Sequence, residues 1–173
     1  MPYINDMDET KYIRNVQTSV TCFLQYKDKY LFLKRAATKR VDPGKLNGVG
    51  GRLESGEDYL SAAIRETYEE TGYQARPDEV KLCGVVKLEA KVQEDWVICF
   101  FKIRVDNKDF LKNQTSEDGE FLWLSKEEML KGGYDLVDDL NYIFDKVVND
   151  ELFFFTAIVD ANFKIEKYSV KTL

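Results

Sequence analysis

The sequence predicts an α/β fold, an α/β/α sandwich built on a mixed β-sheet. Three observations point to it. Short apolar, β-branched runs recur at 16–25, 30–34, 82–90, 96–105, 120–124, 152–159 and 163–170, each bounded by polar or glycine-containing turns. Two longer segments, 58–71 and 136–149, have helix-forming composition or an apolar stripe of about 3.6-residue period. Strands and helices alternate irregularly, with no internal repeat and no linker-like stretch. A chain of 173 residues has room for one core and too little for two ordinary domains. The expectation is a single domain over 1–173, with 1–14 as an N-terminal extension.

Each element has a local reason. The runs 16–25 and 30–34 form a hairpin across the polar turn Tyr26-Lys-Asp-Lys29. A basic loop follows over 36–46, flanked or lined by Lys34, Arg35, Lys39, Arg40 and Lys45, with Asp42-Pro-Gly44 as a turn. Asn47-Gly-Val-Gly-Gly51 leads into the helix 58–71, whose body holds Ala62, Ala63, Ile64, Arg65 and Glu66. The strands 82–90 and 96–105 are joined by the polar turn 91–95. Ser125 follows the short strand 120–124 and caps a helical turn, with Glu127 and Glu128 favourable near its positive end. Leu136, Leu140, Ile143, Phe144 and Val147 make the stripe of the helix 136–149. The last two strands form a hairpin around Asp160-Ala-Asn162.

Composition excludes several functions. The chain is 44% hydrophobic and 32% charged, with no low-complexity tract, which is globular. No apolar run approaches twenty residues, and 1–10 are polar and acidic, so neither a membrane span nor a signal peptide is expected. Cys22, Cys83 and Cys99 lie far apart in apolar contexts and read as buried thiols of a reducing cytoplasm. A net charge of −6 with no basic patch argues against long nucleic acid as a partner. It does not argue against a small phosphorylated substrate, because a bound cation inverts the local field. The chain has no histidine, so proton transfer falls to carboxylates, lysines, tyrosines or metal-bound water.

The informative stretch is 51–73. On the helix, Glu66, Glu69 and Glu70 stand at i, i+3 and i+4 and project from one face. Like charges at that spacing destabilise a bare helix, and a cation among them removes the conflict. Oxygen ligands of this kind suit Mg2+ or Mn2+. The bland alternative is a solvated acidic face.

The stretch resembles the Nudix box, G-x5-E-x7-R-E-U-x-E-E-x-G-U with U a bulky apolar residue. Gly51, Glu57, Arg65, Glu66, Glu69, Glu70 and Gly72 match in register, while Thr67 and Tyr73 stand where an aliphatic residue is usual. The resemblance implies the same α/β/α fold and a metal-dependent hydrolase of MutT type. It implies Glu66, Glu69 and Glu70 as metal ligands, joined by the carbonyl of Gly50 and by a carboxylate on a distal loop. Glu117, Asp118 and Glu120 are the candidates for that distal carboxylate, as the ligand (Asp118) or as an alternative base, and an acidic surface turn is the plain alternative. Glu66, Glu69 and Arg65 are the catalytic candidates, Glu66 being the first choice for the base within the box. Arg65 has two readings, a fork that fixes a box glutamate or an ordinary i,i+4 pair with Glu69. Glu57 reads as structural support at the helix start, with the metal shell as its alternative.

A looser resemblance extends over about 16–170. Lys45-Leu-Asn-Gly-Val-Gly-Gly51 is similar to the W-N-G-F-G-G segment of 8-oxo-dGTP diphosphatases, and Asp138-Asp139 to their W-P-D-D region. It implies Asn47, Asp138 and Asp139 as readers of an oxidised purine edge. Leu136 stands where those enzymes stack a tryptophan on the base, which leaves Tyr134 or Trp96 as stacking candidates. A helix cap is the plain alternative for the two aspartates. The resulting expectation is hydrolysis of a nucleoside triphosphate to the monophosphate and pyrophosphate by a monomer or homodimer. Hydrolysis of a nucleotide sugar or ADP-ribose, and a non-catalytic nucleotide-sensing module, are the alternatives.

Overall fold

The structure is a computed structural model that describes residues 14–90 and 94–173. Strands β1 (Asn15–Tyr26) and β2 (Lys29–Arg35) are followed by the short β3 (Leu46–Asn47) and helix α1 (Tyr59–Thr71). A single turn of 3-10 helix at Pro77–Glu79 leads into β4 (Val80–Ala90) and β5 (Glu94–Arg104). Then come β6 (Thr115–Ser116), β7 (Gly119–Ser125), α2 (Lys126–Lys131), α3 (Leu140–Val148), β8 (Phe153–Val159) and β9 (Ile165–Thr172).

The described strands form one mixed sheet in the order β6-β7-β2-β1-β5-β4-β8-β9, with β3 on β2. The pairs β1–β5 and β4–β8 are parallel, and the other pairs are antiparallel. Side chains alternate across a strand, so β1 serves both faces. Val20, Cys22 and Leu24 face α1, where Ala62 and Ala63 allow close approach. Phe23 faces the other way and packs edge-on against Phe144 of α3 at 5.3 Å between ring centroids. This is the expected α/β/α sandwich.

Lys102 is buried on β5, donates to the Val147 carbonyl at 2.8 Å and pairs with Asp150 at 2.6 Å. That pair fixes the end of α3 to the sheet, and it holds the Asp150 carboxyl down at about 2. The three cysteines are free and buried. Among the described residues no helix is long and apolar enough to cross a membrane.

Several expected boundaries move. The helix expected at 136–149 begins at Leu140, because Leu136 bridges to Leu46 and residues 138–139 form a turn before the helix. Leu46 N–H donates to the Asp135 carbonyl at 2.8 Å, and Val137 N–H to the Leu46 carbonyl at 3.0 Å. Leu136 thus supports the core from a bridge to Leu46 and not from a helix. The last strand begins at Ile165, since Phe163 has a left-handed backbone with φ 60°. Gly119 opens a β6–β7 hairpin where one short strand was expected. The expected turn 91–95 falls partly, and the N-terminal extension almost wholly, outside the described residues.

Candidate functional site

The site begins with a gap in the sheet. Strands β1 and β2 pair through Gln25–Tyr30 and Tyr26–Lys29, then part. The chain after β3 fills the space along β1. Cys22 N–H donates to the Val49 carbonyl (2.7 Å), Val49 N–H to the Cys22 carbonyl (3.0 Å), and Val20 N–H to the Gly51 carbonyl (2.9 Å). Glycine is required here. Gly50 has φ 148°, and a Cβ on it would lie 2.1 Å from the Val20 carbonyl oxygen. A Cβ on Gly51 would lie 2.4 Å from Oε1 of Glu66. The missing side chains let the box carboxylates lie directly on backbone.

Helix α1 brings those carboxylates. Asp58 is its N-cap and accepts from Ser61 N–H at 2.9 Å, while Gly72 closes it with φ 80°. Glu70 Oε2 accepts from Gly50 N–H at 3.0 Å, joining the helix to the glycine segment. Burial, with the charges of Glu66 and Asp118 behind it, pushes the Glu70 carboxyl up to about 7.

Arg65 is the hub of the other carboxylates. Its Nε and Nη2 donate to the two oxygens of Glu57 at 2.9 Å each. Nη1 donates to Glu66 at 2.8 Å and to Glu69 at 3.1 Å, and Nη2 also donates to the Arg52 carbonyl at 3.0 Å. This exceeds a simple i,i+4 pair with Glu69. Glu57 accepts from Glu54 N–H at 3.0 Å as well, so it organises the approach to the helix, and its carboxyl is held below the usual range chiefly by Arg65. Thr67 is fully buried and Tyr73 packs on Phe110 at 4.8 Å, so both departures from the box pattern are packing positions.

Asp118 is held beside the box. Its carbonyl accepts from Ala36 N–H at 2.8 Å, its side chain pairs with Lys39, and its charge bears on Glu70. Glu117 is exposed, and Glu120 is exposed on β7 opposite Lys34.

A cavity of about 550 Å³ adjoins the glycine segment. Asn47, Gly50, Gly51, Asp138 and Asp139 all line it, so the base-reading candidates and the box backbone share one space. Asn47 turns its amide oxygen to Gly48 N–H at 2.8 Å. Asp139 is 8% exposed, and burial, with the Asp42 and Asp138 charges adding, pushes its carboxyl up to about 6. Asp139 stands at the N-cap of α3 without a side-chain cap bond, and Asp138 Oδ2 accepts instead from Ile165 N–H at 2.7 Å. Trp96 lines the cavity beneath the Arg52 guanidinium, 5.0 Å from the ring centroid, whereas Tyr134 packs against the aromatic core. Arg35, Arg40, Arg52 and Phe163 also line it, and sequence reasoning did not single them out as site residues. The basic loop carried a signal for the first two. Nothing in the sequence placed Phe163 there.

The donor set fits a hard divalent cation. Every candidate ligand is oxygen, and Glu70 lies partly buried among like charges that a cation would relieve. As placed, Arg65 draws Glu66 and Glu69 while Gly50 holds Glu70, and among the described residues no three carboxylate or thiol groups converge as a closed cluster.

Comparison with known proteins agrees with this geometry. The NUDIX domain family matches residues 15–143. A MutT protein from Bacillus halodurans superposes with a TM-score of 0.76 at 24% identity, covering 90% of this chain and 97% of that one. A MutT protein from Methanosarcina mazei gives 0.61 at 23%, covering 79% and 94%. The NUDIX domain of Shewanella oneidensis NrtR, solved with ADP ribose, gives 0.60 at 13%, covering 85% and 95%. At these identities the structural likeness carries the fold, and the domain match carries the family. The chain belongs to the NUDIX family, whose general activity is hydrolysis of nucleoside diphosphate derivatives.

Proposed function

We propose that this protein is a Mg2+- or Mn2+-dependent nucleoside triphosphate pyrophosphohydrolase that releases a nucleoside monophosphate and pyrophosphate. The preferred substrate class is a purine nucleotide, with oxidised forms such as 8-oxo-dGTP as the leading candidate. One observation carries the reading. The glycine segment that touches the box carboxylates through Gly50 and Gly51 is also a wall of the cavity containing Asn47 and Asp139. A nucleotide lying along that segment presents its phosphates to the carboxylate face and its base to the cavity.

The residues divide the work accordingly. Glu66, Glu69 and Glu70, with the Gly50 carbonyl and Asp118, hold the cation. When bound, the cation neutralises phosphate charge and lowers the pKa of water. Arg65 fixes Glu66 and Glu69, and Glu57 fixes Arg65. Glu66 is the candidate base. Arg35, Arg40 and Arg52, which share the cavity lining with Asp42, Glu94, Asp138 and Asp139, are the guanidinium partners offered to the phosphate chain. Asn47 offers donor and acceptor to a base edge, and buried Asp139 offers an acceptor, or a donor when protonated. Retention of every box glutamate favours an enzyme over a sensing module.

The test is a kcat/KM panel with Mg2+ and Mn2+ over 8-oxo-dGTP, the normal dNTPs and NTPs, ADP-ribose and nucleotide sugars. The reading expects triphosphates to lead. A clear lead for ADP-ribose or a nucleotide sugar would replace the substrate, and no turnover of any compound would replace the enzyme with a module.

A further inference from the structure

The turn between β8 and β9 is built in a way that hairpin formation does not explain. Phe163 has φ 60°, a left-handed conformation that costs a bulky side chain and persists where surrounding structure enforces it. Glycine would serve the turn better. The enforcement is visible. Asp160 Oδ1 accepts from Asn162 N–H at 2.8 Å and from Lys164 N–H at 2.9 Å. Asp138, 27 residues earlier in the chain, accepts from Ile165 N–H at 2.7 Å. The β8–β9 register also shifts beside Val159, opposite Ile165. Such irregularities re-aim side chains near sites. The side chain aimed here is the Phe163 ring. It lines the cavity and meets Trp96 edge-on, 6.4 Å between centroids at 83°.

We infer that the turn 160–165 is a specificity element, with Phe163 contacting the bound base beside Trp96 and Asp138 acting as the positioning residue that pins the turn. This rests on the nucleotide reading above and separates the two aspartates. Asp139 remains the buried group facing the base, whereas Asp138 acts through Ile165 and Phe163. A flat base in an aromatic corner gains stacking that is independent of the metal.

The test is calorimetric titration of dGMP and 8-oxo-dGMP without metal, paired with thermal melting of each free variant. Phe163→Gly removes the ring and relieves the backbone. It is expected to weaken binding about five- to a hundredfold while Tm shifts by a few degrees at most. Asp138→Ala is expected to weaken binding about fivefold or more, through the lost acceptor for Ile165 N–H. Asp138→Asn keeps an acceptor oxygen and is expected to recover most of that loss.

Unchanged binding in Phe163→Gly overturns the inference. So does a collapse in its Tm, which would make the ring structural. Asp138→Asn binding as weakly as Asp138→Ala also overturns it, because the negative charge and not the tether would then be at work. If the wild type binds neither nucleotide, the inference falls, whereas the nucleotide reading stands or falls on the turnover panel. Wild-type binding with indifferent variants removes the inference alone.

Discussion

Arg65 makes bonds that no other cation replaces. Its planar fork donates twice to Glu57 and once each to Glu66 and Glu69, and lysine has no such geometry. Both Arg65→Ala and Arg65→Lys should therefore lower activity, by about 10- to 100-fold as for other residues that orient metal ligands. Steady-state kinetics check this, and unchanged values would return Arg65 to a surface pair. Glu66→Gln and Glu70→Gln should each lose on the order of 10³-fold or more in kcat with the fold retained, since each removes a charged ligand of the proposed cation. Wild-type kcat in either would refute the metal assignment. Asp139 gives a pH prediction. Its folded-state pKa is raised to about 6, so its contribution to stability is complete below the unfolded value near 3.8 and is lost as pH rises through 6. Asp42 and Asp138 are the like charges that face it. Across that window wild-type stability should fall relative to Asp139→Asn, by roughly 3 kcal/mol at the upper bound. Parallel melting curves at pH 4 and 7 would contradict the burial argument. At this scale the box was legible because residue type and spacing together encode its chemistry. Arg52 and Phe163 were not, and Arg35 and Arg40 showed only as part of a basic loop, because their convergence depends on segments distant in sequence.

The glycine segment shows how an element sets the site. A Cβ at Gly51 meets the end of the flexible Glu66 side chain. Gly51→Ala should consequently displace Glu66, lowering kcat about tenfold or more at little cost in stability. A Cβ at Gly50 meets the fixed Val20 carbonyl instead, so Gly50→Ala should disturb the fold as well. Comparing kcat and Tm of the two variants separates the effects, and equal behaviour would contradict the account. The central strands were legible as apolar runs because buried strands need continuous hydrophobicity. The extended stretch before α3 was not. Leu136 is apolar in register with the helix stripe, and the bonds that hold the stretch extended are backbone bonds to Leu46, which leave no mark in the side-chain pattern.

Across the molecule, the sheet separates two packed faces and the glycine segment connects them. α1 and the carboxylates lie on one face, α3 and the aromatic core on the other, and the gap between β1 and β2 is where they communicate. On the function proposed above, this layout puts hydrolysis and base recognition at opposite ends of one substrate. It also predicts that Mg2+ stabilises the free protein, since a cation relieves repulsion among Glu66, Glu70 and Asp118. The measurement that tests the central claim most directly is 31P NMR of the products formed from 8-oxo-dGTP and dGTP, with Mg2+ and with the cation chelated. The account predicts a nucleoside monophosphate and pyrophosphate in equal amounts, formed with Mg2+ by the wild type, absent under chelation and nearly absent with Glu70→Gln. Inorganic phosphate with a nucleoside diphosphate, or full turnover by Glu70→Gln, would contradict it.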